Sequence, residues 1–337
     1  IAAAERLSAT PDIGSSACTA AGDDAKAAGA GTGARLQLEE ATVQHVQTPL
    51  ARSLPRLDAR ALSVEAFRDT YMLADPPVPV IITGAMEGWP AMGARRWDLG
   101  YLKQKAGGRL VPVETCSEAD STRGYMSESW ERRVMSLADY IDNFIAPRSA
   151  EDGSDDAEEQ DERGYLAQYQ LFDQIPSLRE DIATPRYCAA STPEDARAPA
   201  DCEQRAGSDP LVSAWLGPAG SVSPLHNDPF HNLLAQVVGH KYVRLYDAQH
   251  TPRLYPRSGP QCNNSHVDLD HPEPQKHPLF HGAPFYQCIL SPGEMLYMPR
   301  HAWHYVRSLE TSFSVSFWWG AKMGLRNRAD GAVEAFF

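Results

Sequence analysis

Two side chains in Ser223-Pro224-Leu225-His226-Asn227-Asp228 have the types and spacing to hold a metal ion: His226 and Asp228, an imidazole and a carboxylate two positions apart. Side chains alternate along an extended strand, so both would face the same side. A third ligand has to come from elsewhere in the chain, and His304, in Pro299-Arg300-His301-Ala302-Trp303-His304-Tyr305-Val306, is the candidate. Two histidines and one carboxylate on one face of an octahedral ion leave three positions open, as a non-haem iron(II) oxygenase needs for a chelating cosubstrate and dioxygen. Zinc hydrolysis needs only one open position.

A His-x-Asp pair arises often by chance, and a surface histidine beside an aspartate is the plain alternative. The context argues for the metal. The pair follows a strand pattern and the turn Gly217-Pro218-Ala219-Gly220, and His304 follows the turn at Pro292-Gly293 and a second strand pattern. His301 competes for the third position, but three residues of separation place it in the turn before the strand. The remaining histidines, His231, His240, His250, His266, His271, His277 and His281, read as exposed residues of polar, proline-rich loops.

These ligands need strands to carry them. From Leu211 onward short runs of β-branched and aromatic residues alternate with turn signals, the pattern of a sandwich or barrel. The expected strands are 211–216, 233–238, 241–246, 285–290, 295–298, 303–308 and 312–318. Gly239-His240 predicts a hairpin turn between two of them, and Ser291-Pro292-Gly293-Glu294 joins another pair. Upstream, Val64 to Tyr71 has helical spacing, Pro77 to Gly84 reads as a strand closed by glycine, and Ser136 caps a helix that ends near Pro147. The resulting division is a disordered Ala/Gly-rich tail at 1–34, an N-terminal α/β part at 35–148 packed on the barrel, an acidic loop insertion at 149–163, a catalytic barrel at 164–320 and a C-terminal tail at 321–337.

The formal net charge of -13 over 337 residues weighs against direct nucleic-acid binding, which needs a basic face, and suits a basic protein partner. Much of the imbalance is local. Residues 151–163 hold eight acidic side chains against Arg163 alone, which leaves -7 in that stretch and reads most simply as a solvated loop. Six cysteines are scattered without a C-x-x-C pair, as expected of reduced thiols in the nucleus or cytosol. No apolar run approaches the roughly 20 residues that span a bilayer, so no membrane is expected.

At this point the chain resembles the jumonji-C family, from about Leu54 to Gly320. The most specific stretches are Gly164 to Gln168 with Leu171 to Pro176, then Leu216-Gly217-Pro218 through His226-Asn227-Asp228-Pro229, then Gln236 to Tyr242, Ile289 to Glu294, and Phe313 to Trp319. The resemblance implies a mainly β fold with flanking helices, a jelly-roll, cupin-like double-stranded β-helix. It also implies iron(II) held by His226, Asp228 and His304, with 2-oxoglutarate as cosubstrate and dioxygen as oxidant. The far carboxylate of the cosubstrate would meet Lys241, with Tyr165 and Asn232 as donors, because a buried carboxylate without partners is costly. Apart from the family, Lys241 opens a strand beside an apolar run, where the plain alternative is a lysine whose head reaches solvent.

By the same resemblance Ser223 and Trp318 lie near the cosubstrate, with Ser316 on the same strand face as Trp318. Glu114 and Trp215 match positions that receive a cationic substrate side chain by ion pairing and an aromatic wall; core packing is the competing role for Trp215. The activity implied is a protein oxygenase of the nucleus, with the cytoplasm as a second compartment, acting on a basic protein or histone-like peptide. It would be an arginine hydroxylase or a histone lysine demethylase, and the lack of a Cys-rich chromatin-reading module favours the first. The alternative is a nuclear transcriptional or clock-associated regulator whose main role is binding.

Overall fold

The computed structural model describes residues 50–117, 130–146, 162–199, 201–202, 207–327 and 333–336. The tail expected at 1–34 lies outside these residues. So does the expected acidic loop, apart from Glu162 and Arg163, which belong to a strand. Six strands come first: β1 (Ala51–Ser53), β2 (Arg56–Asp58), β3 (Val80–Thr83), β4 (Leu110–Ser117), β5 (Glu131–Ser136) and β6 (Glu162–Tyr169). Eight more form the barrel: β7 (Leu211–Gly217), β8 (Val222–His226), β9 (His231–Val238), β10 (Lys241–Tyr246), β11 (Phe285–Leu290), β12 (Met295–Met298), β13 (Trp303–Ser308) and β14 (Ser312–Trp319). Where a C-terminal tail was expected, β15 (Gly324–Asn327) and β16 (Val333–Phe336) pair with each other.

The smaller sheet runs β1-β11-β10-β13-β8 and the larger β2-β3-β12-β9-β14-β7-β6-β4-β5. Each sheet takes four of the eight barrel strands, and consecutive strands cross between sheets except at β10 and β11. That is the jelly-roll, double-stranded β-helix topology. The strands upstream of the barrel extend its sheets by hydrogen bonding: β2 and β3 continue the larger sheet beyond β12, and β6, β4 and β5 continue it beyond β7.

Gly239-His240 does not make a hairpin, because β9 belongs to the larger sheet and β10 to the smaller. The inner-face residues of these strands confront each other across the barrel rather than side by side, so the two-residue link is a corner. Gly239 has a φ of 69°, and a Cβ there would stand 2.1 Å from the Thr311 carbonyl oxygen. The Gln236 amide fixes the corner by donating to the carbonyls of Val238 (2.7 Å) and Gly239 (2.8 Å). Ser291–Glu294 likewise passes from β11 to β12, and so between sheets.

Period-two alternation sorts each strand into layers. On β9, Leu233, Ala235 and Val237 join Phe313, Val315 and Phe317 of β14 in a core outside the larger sheet. Two short helices close that core, one beginning at Val64 and one at Leu137, with Phe67, Tyr140 and Ile141 buried. The hydroxyls of Ser63 and Ser136 cap them, accepting from the amides of Ala66 and Asp139. The alternate residues Leu234, Trp215, Trp318, Val243, Leu245 and Val306 pack between the sheets. A third core, with Trp303, Tyr305 and Tyr242, lies outside the smaller sheet beneath residues 247–284. The layer between the sheets also holds polar side chains, and the Ser314 hydroxyl is satisfied by donating to Gln236 Oε1 at 2.7 Å. This mixed interior houses the site.

Candidate metal and cosubstrate site

β8 and β13 are antiparallel neighbours, and their register sets His226 directly opposite His304. The ladder slips between His304 and Val306, whose partners are His226 and Ser223, so β8 carries one extra residue. Pro224 sits in that stretch, where a residue without an N–H is tolerated at a bulge. The imidazole rings lie 4.2 Å apart between centroids. β8 ends at His226, so Asp228 follows in irregular backbone rather than on the strand expected to carry both. Its carboxylate still converges: Oδ1 is 3.9 Å from His226 Nε2 and Oδ2 is 3.7 Å from His304 Nε2. One ligand atom from each residue lies within 4.8 Å of the others, and this is the one such His/Cys/Asp/Glu group among the described residues.

Both rings use the same local device. His226 Nδ1 meets the Pro224 carbonyl at 2.7 Å and His304 Nδ1 meets the Ala302 carbonyl at 3.0 Å. A carbonyl only accepts, so each Nδ1 carries the proton and each Nε2 offers its lone pair to the centre, as metal-bound histidines require. Burial, with the neighbouring His226, pushes the His304 pKa down to about 4. It is therefore neutral at neutral pH, the form that can bind a cation. The donor set and its placement fit a divalent iron-type ion.

The same pocket brings together Tyr165, Trp215, Ser223, Asn232 and Lys241, with Leu234, Met298 and Val306 as apolar walls. Lys241 is not a surface lysine. It is 2% exposed, and burial alone lowers its pKa from the usual 10.5 to about 7. Its ammonium donates to the Tyr165 hydroxyl at 3.4 Å, and among the described residues no carboxylate pairs with it. Burial raises the Tyr165 phenol far above its usual range, partly offset by the Ser223 hydroxyl, so it stays a protonated donor. Among the described residues Asn232 Oδ1 and Trp318 Nε1 are buried without a partner, and their residues face one another in the ladder between β9 and β14; Asn232 lines the pocket, while Trp318, expected near the cosubstrate, is not in its wall. A buried cation beside the Tyr165 and Ser223 hydroxyls in one pocket suits a carboxylate guest.

Of the expected substrate residues, Trp215 lines the pocket, and its Nε1 donates to Ser316 Oγ at 2.7 Å, which gives Ser316 an orienting role. Glu114 lies opposite Tyr165 in the ladder but is not in the pocket wall. Its carboxylate is held by Arg132 from β5, with Oε1 accepting from Nε at 2.7 Å and pairing with Nη2 at 2.6 Å.

Two histidines outside the ligand set need separate accounts. His231 is buried on β9 against Tyr297 and Trp319, so its loop assignment is corrected: the strand begins two residues earlier than the hydrophobic run suggested. His301 is in the turn before β13, as its spacing implied, but is 6% exposed and outside the ligand cluster. Leu234 and Val306 were missed as pocket residues, although counting two positions on from Asn232 and from His304 finds both.

Residues 65–324 match the cupin-like domain family. The chain is 41% identical over 269 residues to lysine-specific demethylase 8 of Danio rerio, covering 80% of this chain and 58% of that protein. It is 40% identical over 268 residues to Jumonji C domain-containing protein 5 of Drosophila melanogaster, covering 79% and 59%. Against the lysine-specific demethylase JMJ30 of Arabidopsis thaliana it is 41% identical over 267 residues, covering 78% and 54%. The chain thus spans little more than half the length of these relatives.

Proposed function

The chain belongs to the cupin-like jumonji-C family, and from that premise we propose that it is an iron(II)- and 2-oxoglutarate-dependent oxygenase that hydroxylates a basic side chain, arginine first, of a protein substrate. The observation that carries this reading is the two-ended pocket: His226, Asp228 and His304 converge at one end, and buried Lys241 stands with the Tyr165 hydroxyl at the other. When bound, iron(II) and 2-oxoglutarate reduce dioxygen, releasing succinate and carbon dioxide and placing one oxygen atom in a substrate C–H bond. The chain's own part is positioning and charge. Lys241 and Tyr165 would hold the far carboxylate by a charge-assisted bond and a hydroxyl bond. Asn232 and Ser223 would complete its polar surroundings. Leu234, Met298 and Val306 keep water from the interior and strengthen those interactions.

A substrate cation at Glu114 would have to displace one already there. In the folded chain its carboxylate, 13% exposed, is taken by a guanidinium, that of Arg132. The expected substrate is a basic protein or histone-like peptide, and the expected compartment is the nucleus, with the cytoplasm second. Mass spectrometry of an arginine- and methyl-lysine-containing peptide panel tests the reading. Gain of one oxygen on arginine is expected. Formaldehyde release with loss of a methyl group would make the protein a demethylase, and 2-oxoglutarate-independent peptide capture without modification would favour the regulator.

A further inference from the structure

Asp228, the only anionic ligand of the cluster, lies beyond the end of β8, where no sheet ladder fixes it. On its N-terminal side the Asn227 amide donates to the Asn263 carbonyl at 2.9 Å, and two further backbone bonds hold Asp228 and Pro229. The Asp228 carbonyl accepts from the His301 amide at 2.9 Å, and the Pro229 carbonyl accepts from the Met323 amide at 3.2 Å. The two donors belong to segments far apart in sequence, and one side chain gathers both segments. Asp195 Oδ1 pairs with the guanidinium of Arg300, the residue before His301, and also accepts from the Ala321 amide at 2.8 Å, two residues before Met323.

The hub is closed on every side. Asp195 and Arg300 have side-chain exposures of 0% and 7%. Asp195 Oδ2 accepts from the Thr192 amide at 2.8 Å and hydroxyl at 3.0 Å. His231 Nδ1 accepts from the Arg300 amide at 3.3 Å and from the Tyr297 hydroxyl at 3.0 Å, so the buried histidine braces the same turn. Gly320 passes so close that a Cβ would sit 2.5 Å from Arg300 Nη2 and 2.9 Å from Asp195 Oδ1. His301 itself adopts a φ of 65°, an uncommon backbone for a side-chain-bearing residue, and in that conformation its amide meets Asp228.

We propose that the buried Asp195–Arg300 pair is the positioning device of the metal centre: it clamps residues 300–301 and 320–323 so that their amides fix the backbone of Asp228 and Pro229, and through it the ligand carboxylate. A buried ion pair adds little net stability, because desolvation offsets its Coulomb attraction; what it supplies is a single geometry. None of these residues lines the pocket, so the pair acts through Asp228 and touches neither cosubstrate nor substrate.

The proposal rests on the metal-site reading, and its test separates the two. Manganese(II) affinity is measured by electron paramagnetic resonance for the wild type, Arg300→Met and Arg300→Lys. Amide hydrogen exchange at His301 is followed in the metal-free protein, and 2-oxoglutarate affinity at saturating manganese(II). In Arg300→Met, His301 exchange should accelerate and the manganese(II) Kd rise by roughly tenfold or more, the usual scale for partners behind a ligand. The 2-oxoglutarate Kd should change less than about threefold, and Arg300→Lys should recover most of the metal affinity. If Arg300→Met alone fails to fold, the paired variant Asp195→Asn/Arg300→Met, which removes both charges, is read the same way. Manganese(II) affinity within twofold of wild type in a cooperatively melting variant overturns the proposal, as does unchanged His301 exchange. Failure of the wild type to bind manganese(II) would instead overturn the metal-site reading, leaving the exchange result to decide whether the clamp exists.

Discussion

The two ends of the pocket are built by opposite means. At the metal end the charged ligand sits in irregular backbone past a strand end, both histidines have their outward nitrogens satisfied by carbonyls two residues back, and a single carboxylate lies between the two Nε2 atoms. At the other end Lys241 stands at the head of β10, registered between Leu290 of β11 and Ser308 of β13, and among the described residues its charge is met by the Tyr165 hydroxyl and ring and by no carboxylate. One end is organised and anionic, the other organised and cationic. A guest complementary to both is a cation at one end and a carboxylate at the other, which a divalent metal chelated by a diacid provides. The difference also teaches where each end is vulnerable: the metal end through backbone placement, the lysine end through electrostatics.

Separating the ends by mutation gives the largest effects. His226→Ala should weaken manganese(II) binding by at least about 100-fold, measured by electron paramagnetic resonance, because it removes a ligand outright, while the circular dichroism melt stays cooperative. Lys241→Met should raise the 2-oxoglutarate requirement by at least about 30-fold, from the roughly 2 kcal/mol or more that loss of one partner of a buried charge pair costs, and leave manganese(II) affinity within threefold. The metal-free Lys241→Met protein should melt at a higher temperature than wild type at pH 6, since it no longer buries an ammonium without a counter-ion. A lower melting temperature there would mean that Lys241 has a partner supporting the fold.

The pH response sharpens the contrast. Below pH 7 Lys241 is charged in both the folded and the unfolded chain, so the cost of burying the charge is present in full. Between pH 7 and 10.5 the folded form has released the proton that the unfolded chain keeps, so this contribution to stability rises with pH and levels off above 10.5. Affinity for 2-oxoglutarate should move the other way. Above about pH 7 binding has to take up a proton, and the Kd should rise by up to about tenfold per pH unit. Calorimetry in buffers of different ionisation enthalpy measures that uptake directly. The smallest effect is expected of Tyr165→Phe, which deletes one hydroxyl bond at the lysine end. It should raise the 2-oxoglutarate Kd by about three- to tenfold, the scale of a 0.5–1.5 kcal/mol hydrogen bond.

The same contrast governs what could be read from the sequence. Strand patterns and the alternation rule located seven of the eight barrel strands and left out the short, proline-containing β8, while the spacing of His226 and Asp228 marked the anion and one of its neighbours. Lys241 was ambiguous on its own, because a lysine beside an apolar run looks the same whether its head is buried or reaches solvent; resemblance, not spacing, assigned it. Gly239-His240 looked like a hairpin because a glycine-containing two-residue link says that the chain reverses and not which sheet it enters. That depends on which faces are apolar on both flanking strands, and β9 and β10 are buried on both faces. His231 and the Asp195–Arg300 clamp had no local signal. Polar residues that find each other across more than 60 positions become visible only when the fold brings them together.

Whether the two ends work on one guest pair is tested most directly by turnover of 2-oxoglutarate to succinate by the wild-type chain, with and without added iron(II). The prediction is succinate formation that requires iron(II), stops on chelation and returns when iron(II) is restored. Succinate formed at the same rate in the iron-free, chelator-treated protein, or none formed by iron-loaded protein that melts cooperatively, would contradict it.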